Sequence, residues 1–171
     1  MKRGPDQEVI FRPKDLQLRA YAHAAFNITQ DGRSHYGYVV TLGGALICSK
    51  GGRIKTVVRS STEAEITAVN EVVSDLLWCR DVLEELGYHQ KAMPIWEDNK
   101  SCITMLQQEP RNFQSKSKHV RVKWAFYRQE HENKVLYLKY CPTESMVADL
   151  LAKPLGGKAH NLLSSKLFHG V

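Results

Sequence analysis

The chain has 171 residues, 43% hydrophobic and 25% charged, and its 24 Lys plus Arg exceed its 18 Asp plus Glu for a formal net charge of +6. These are ordinary values for one globular domain, and they exclude a collagen-like repeat, a disordered tail and a disulfide scaffold. No apolar run reaches the roughly 18 to 20 residues that cross a bilayer, and the opening MKRGPDQEVIF lacks the hydrophobic stretch of a secretory signal, so an intracellular chain without a membrane partner is expected.

Residues 1–15 read as an N-terminal lead-in and 16–171 as the folded domain. Leu16 to Phe26 is expected as a strand, because Leu18, Ala20, Ala22 and Ala24 alternate with Arg19, Tyr21 and His23. After the turn NITQDGRS, Tyr36 to Leu42 resumes as a strand. Gly43-Gly44 turns the chain and Ala45 to Ser49 follows; Gly51-Gly52 is expected to break this strand before Ile54 to Val58 finishes a three-stranded antiparallel meander. A long helix is predicted from Ser61 to Leu86 and closed by Gly87, with an apolar stripe of Val69, Val72, Leu76, Cys79, Leu83 and Leu86. Ala92 to Trp96 reads as a strand, Lys100 to Gln107 as a short helix, and a basic segment as a helix reaching about Gln129. Val135 to Tyr140 is a strand, and a helical region opens at Thr143, interrupted by Pro154 and Gly156-Gly157 before Ala159 to Phe168. A meander followed by alternating helices and strands is an α/β arrangement: a five-stranded mixed sheet, three strands antiparallel and then two parallel, flanked by helices. Cys48, Cys79, Cys102 and Cys141 form no CxxC pair and read as buried free thiols.

Charge is segregated along the chain. Residues 1–60 carry ten basic and four acidic groups, 61–110 three basic and ten acidic, and 111–171 eleven basic and four acidic. The stretch from Arg111 to Arg128 holds Arg111, Lys116, Lys118, Arg121, Lys123 and Arg128 with no acidic residue, interleaved with Trp124, Phe126 and Tyr127. Such a run either forms a solvated helix face or presents cations and aromatics to a nucleic acid.

Three carboxylates fall where this layout gathers them. One step of four back from Val69 along the buried stripe lands on Glu65, which turns it toward the sheet. Ser60 and Glu63 make a capping box that gives Glu63 a structural task, although Thr62 and Glu65 have the same spacing. Asp98 follows the strand run PIWE, at the C-terminal edge where open α/β sheets place functional groups; the alternative is a helix cap. Asp149 lies in the apolar context MVADLL, unusual for an acid unless it meets a cation or metal; the alternative is a half-exposed side chain.

The motifs AYAHAAF (Ala20 to Phe26), GYVVTLGG (Gly37 to Gly44), SSTEAE (Ser60 to Glu65), EDN (Glu97 to Asn99), KHVRVKWAFYRQE (Lys118 to Glu130) and YCPTESMVADLLAKPL (Tyr140 to Leu155) occur in the order of a known family. Over about Ile10 to the C-terminus, the chain resembles the ribonuclease H domain of copia-type LTR-retrotransposon polyproteins. The resemblance implies a ribonuclease H-like fold whose carboxylates hold two Mg²⁺ (or Mn²⁺) ions and hydrolyse the RNA strand of RNA–DNA hybrids. It implies Glu65, Asp98 and Asp149 as metal ligands, and a hybrid held by Lys116, Lys118, His119, Arg121, Lys123 and Arg128, with Asn99 beside them. It also implies a reverse transcriptase domain upstream and work in the cytoplasm, a virus-like particle or the nucleus.

The departure is His23, where the family places an Asp that touches both ions. An imidazole cannot bridge two cations and brings no negative charge, although it can ligate one Mn²⁺ or Zn²⁺. Two expectations follow: a hybrid nuclease impaired at His23, or a catalytically degenerate fold that serves as a nucleic-acid-binding or protein-interaction module. Asp31, in the turn, is not expected to reach the site, and His35 reads as a surface or substrate-side residue.

Overall fold

The computed structural model describes residues 15–113, 115 and 117–169. Most of the predicted lead-in, and Lys116 of the basic run, lie outside them. The sheet is built from β1 (Leu18–Ala25), β2 (His35–Leu42), β3 (Ala45–Arg53), β4 (Met93–Glu97) and β5 (Leu136–Tyr140), in the order β3-β2-β1-β4-β5. β1, β2 and β3 pair antiparallel, while β4 and β5 run parallel to β1, giving the expected five-stranded mixed sheet. The helices are α1 (Ser61–Glu85), α2 (Lys100–Leu106), α3 (Lys118–Glu132), α4 (Asp149–Ala152) and α5 (Gly157–His169), with a short 3-10 turn at Thr143–Ser145.

Helices cover both faces, so alternate β1 residues enter different cores. Leu18, Ala20, Ala22 and Ala24 pack with Val69, Val72 and Leu76 of α1 and Tyr127 of α3. Tyr21 joins Val39, Met146, Val147, Leu163 and Leu167 on the other face. Burial of each large side chain contributes about 1.5–3 kcal/mol. Tyr38 of β2 also donates its hydroxyl to Asp75 of α1, tying helix to sheet. All four cysteines are free; three are buried and Cys48 is half-buried.

Four sequence expectations need correction. Gly51-Gly52 does not break the third strand: they pair with Gly37 and Tyr36 inside β3, and Ile54 to Val58 is not a strand. Glycine serves close approach here, since a Cβ on Gly51 would lie 2.7 Å from Leu151 O and one on Gly37 2.6 Å from Ala148 O. α1 ends at Glu85, Leu86 is exposed, and Gly87 takes the left-handed turn with φ +87°. Ser60 does cap Glu63 N–H, but the Glu63 carboxylate accepts from Arg59 N–H rather than from the cap residue. Finally, α5 starts at Gly157 itself, with Pro154 and Gly156 separating it from α4.

Candidate functional site

At the C-terminal edge of β1 and β4, the chain brings together the four residues singled out in the sequence. His23 is the sixth residue of β1 and is 8% exposed. Its Nδ1 lies 3.1 Å from Asp98 Oδ1 and 3.2 Å from Glu65 Oε1, and its Nε2 lies 3.0 Å from Asp149 Oδ1. The imidazole thus sits among three carboxylates delivered by α1, the end of β4 and the start of α4.

Each carboxylate is held by a local device. Glu65 reaches back from the first turns of α1, and its Oε2 accepts Ala24 N–H at 2.7 Å. This bond excludes the Thr62–Glu65 capping alternative. Asp98 is not the cap of α2: Asn99 is, accepting Cys102 N–H through its side chain at 3.0 Å. Asp98 is therefore free to face His23, and its Oδ2 accepts the Thr143 hydroxyl at 2.9 Å. Asp149 opens α4 rather than sitting within a long helix, is only 4% exposed, and meets Lys153 Nζ at 2.8 Å through Oδ2. Its Oδ1 makes no hydrogen bond among the described residues, although His23 Nε2 lies 3.0 Å away.

Burial, the neighbouring Glu97 and Asp98, and Asp149 push the Glu65 carboxyl well above the usual range, against the lowering effect of Ala24 N–H. Burial also raises Glu97, named in the sequence only as the first residue of EDN: it is fully buried, Oε1 accepts Asn99 N–H at 2.9 Å, and Oε2 makes no hydrogen bond among the described residues. Asp98 goes the other way. Burial opposes its charge, but His23 and Thr143 bond to it and hold it below the usual range.

His23, Glu65 and Asp98 each bring a ligand atom within 4.8 Å of the others, a candidate seat for one divalent ion. An imidazole stands within 3.2 Å of three carboxylates, and the Lys153 ammonium lies 3.4 Å from its Nε2. An imidazole nitrogen has one lone pair and cannot bridge two Mg²⁺ ions. Lys153 is the second group missed from sequence, although its spacing of four from Asp149 was visible there.

The predicted nucleic-acid residues separate into two groups. Lys118, His119 and Arg121 are exposed on α3. Lys123 and Arg128 have internal partners: Lys123 Nζ donates to Thr67 Oγ1 at 2.8 Å, while Arg128 pairs with Glu132 at 2.6 Å and Glu109 at 3.2 Å. Trp124 stacks on Phe113 at 4.4 Å and Tyr127 is buried, so these aromatics are largely structural. Asp31 stays in its turn, paired with Arg53.

No protein-family model matches the chain. It is 33% identical over 165 residues to the retrovirus-related Pol polyprotein from transposon RE2 of Arabidopsis thaliana, covering 95% of this chain and 11% of the relative. It is 30% identical over 144 residues to the Pol polyprotein of transposon TNT 1-94 of Nicotiana tabacum, covering 84% of this chain and 11% of the relative. The chain thus spans about a tenth of the length of these curated relatives. Among solved structures it is similar to LC11-RNase H1 in complex with an RNA/DNA hybrid, with TM-score 0.60 and 18% identity over 79% of this chain and 93% of that one. A foamy viral protease-reverse transcriptase in complex with an RNA/DNA hybrid aligns with TM-score 0.56 and 14% identity over 89% of this chain and 22% of that one.

Proposed function

Because the chain belongs to the family of copia-type retrotransposon Pol polyproteins and has a ribonuclease H-like fold, we propose that it engages RNA–DNA hybrids at this carboxylate edge and that its hydrolysis of the RNA strand is impaired by His23. The observation that carries the reading is the placement of both imidazole nitrogens within 3.2 Å of carboxylate oxygens from Glu65, Asp98 and Asp149. Three carboxylates alone would repel a phosphodiester. In this chain the Lys153 ammonium stands against Asp149, and the His23 ring lies between the three carboxylates.

Lys118, His119 and Arg121 supply phosphate contacts that set the register of the hybrid without reading its sequence. Lys116 is assigned the same role from its place in the basic run. Arg128 and Asn99 act by shaping α3 and α2, given their internal bonds, and Lys123 bonds Thr67 of α1 from α3. Mg²⁺ or Mn²⁺ binding is weak in this reading, and the single seat made with His23 favours an ion that accepts imidazole. A reverse transcriptase domain of the same polyprotein is the proposed neighbour, and the compartment implied is intracellular.

A second reading, a degenerate fold that binds nucleic acid without cleaving it, is favoured by Lys153, which already holds Asp149. Hybrid cleavage assayed with Mg²⁺ and with Mn²⁺ separates the two. The His23→Asp variant is expected to exceed the parent by roughly 100-fold, about 3 kcal/mol of transition-state stabilisation. Full activity in the parent would refute the impairment, and no cleavage by either protein would favour the second reading.

A further inference from the structure

A cleft of about 720 Å³ opens where β2 and β3 meet α1 and α3, and its lining shares no residue with the carboxylate cluster. Its walls carry Lys50, Lys55, Thr56, Thr67, Glu71 and Lys123. Arg53 also lines it, but its guanidinium is engaged by Asp31. Three lysines thus face one carboxylate.

Lys123 is the informative member. Its ammonium is drawn into the α1–α3 junction, and among the described residues its one hydrogen-bond partner is Thr67 Oγ1, at 2.8 Å. That hydroxyl is itself committed to Glu63 O at 3.0 Å, so it relays no charge. Burial lowers the Lys123 pKa and outweighs the raising effect of Glu71. An ammonium has three donors, so a half-buried one with a single neutral partner retains capacity for an anion. The strand wall is close to the site already described: Gly52 pairs with Tyr36, and Tyr36 with Ala24, the neighbour of His23. Two strand spacings are about 10 Å.

We propose that this cleft binds a phosphate group, with Lys123 and Thr67 at its floor and Lys50 and Lys55 at its rim. The inference rests on the nucleic-acid reading only for the source of that phosphate, either the backbone of a bound hybrid or a free phosphate.

Inorganic phosphate titrated into the full chain tests the site without any hybrid, with backbone amide NMR shifts as the readout. Saturable shifts at Thr56 and Thr67 are expected, and they should vanish in Lys123→Met, which keeps the apolar stem. If that variant does not fold, the surface double variant Lys50→Gln/Lys55→Gln serves instead and should weaken the titration. Absence of saturable shifts in the parent chain would overturn the proposal, whatever the outcome of the cleavage assay.

Salt-dependent hybrid binding then identifies the source. A slope of log affinity against log salt that falls by about 0.9 for each phosphate left unneutralised by the double variant assigns the cleft to the nucleic-acid backbone. An unchanged slope alongside saturable phosphate shifts assigns it to a free phosphate.

Discussion

Lys153 Nζ stands 2.8 Å from Asp149 Oδ2, four residues on from the carboxylate that opens α4. The pair is unequal: the Asp149 side chain is 5% exposed and that of Lys153 31%. Removing the ammonium leaves a buried carboxylate with little to bond it, since Oδ1 makes no hydrogen bond among the described residues. Lys153→Met is therefore expected to lower unfolding stability by about 2 kcal/mol. Adding Asp149→Asn should recover part of the loss. Urea unfolding checks both, and a Lys153→Met protein as stable as its parent would contradict the role given to this pair.

Gly37 sets how closely α4 approaches the sheet. A Cβ there would lie 2.6 Å from Ala148 O and 2.8 Å from Ala152 N and Leu151 Cβ, so Gly37→Ala must push the helix outward. A loss of about 1–3 kcal/mol is expected, with displacement of Asp149 from His23. Denaturant unfolding and the amide shifts of 149–152 measure the two effects together. Stability within about 0.5 kcal/mol of the parent would show that α4 is not seated by this close approach.

The Tyr38 hydroxyl and Asp75 provide a pH-dependent measurement away from the carboxylate cluster. Burial first, then the bond to Asp75, raise the phenol far above its ordinary value of 10.0. With the folded value above the unfolded one, the stabilisation is complete below pH 10 and declines as pH rises beyond it. Tyr38→Phe should cost about 1.5 kcal/mol near pH 7. The gap between the two proteins should narrow between pH 10 and 11. A gap that stays constant up to pH 11 would contradict the assigned bond.

Much of this architecture is legible in the amino acids because its signals are local and periodic. The β1 alternation, the α1 stripe and Gly87 place Glu65, and the strand before Asp98 places that carboxylate at the sheet edge. What escapes is decided by partners distant in sequence. Gly51-Gly52 has the composition of a break, yet it stays in β3 by pairing with β2, where Leu151 crowds Gly51 and the Tyr36 ring crowds Gly52. Lys123 belongs to a basic run, yet Thr67, fifty-six residues away, takes its ammonium. Glu97 looks like one more charge in EDN, and only the packed sheet shows it fully buried. Asn99 and Asp98 are interchangeable as caps by composition, and the backbone between β4 and α2 decides for Asn99.

In the proposed function, His23 stands where a carboxylate would bind metal. Isothermal titration of Mg²⁺ into the parent chain and into His23→Asp, without nucleic acid, tests this with no dependence on catalysis. Mg²⁺ binding at least about tenfold tighter is expected for the Asp variant, the scale that restoring the residues around a metal brings. Equal Mg²⁺ affinity in the two proteins, or tighter binding by the parent, would contradict it.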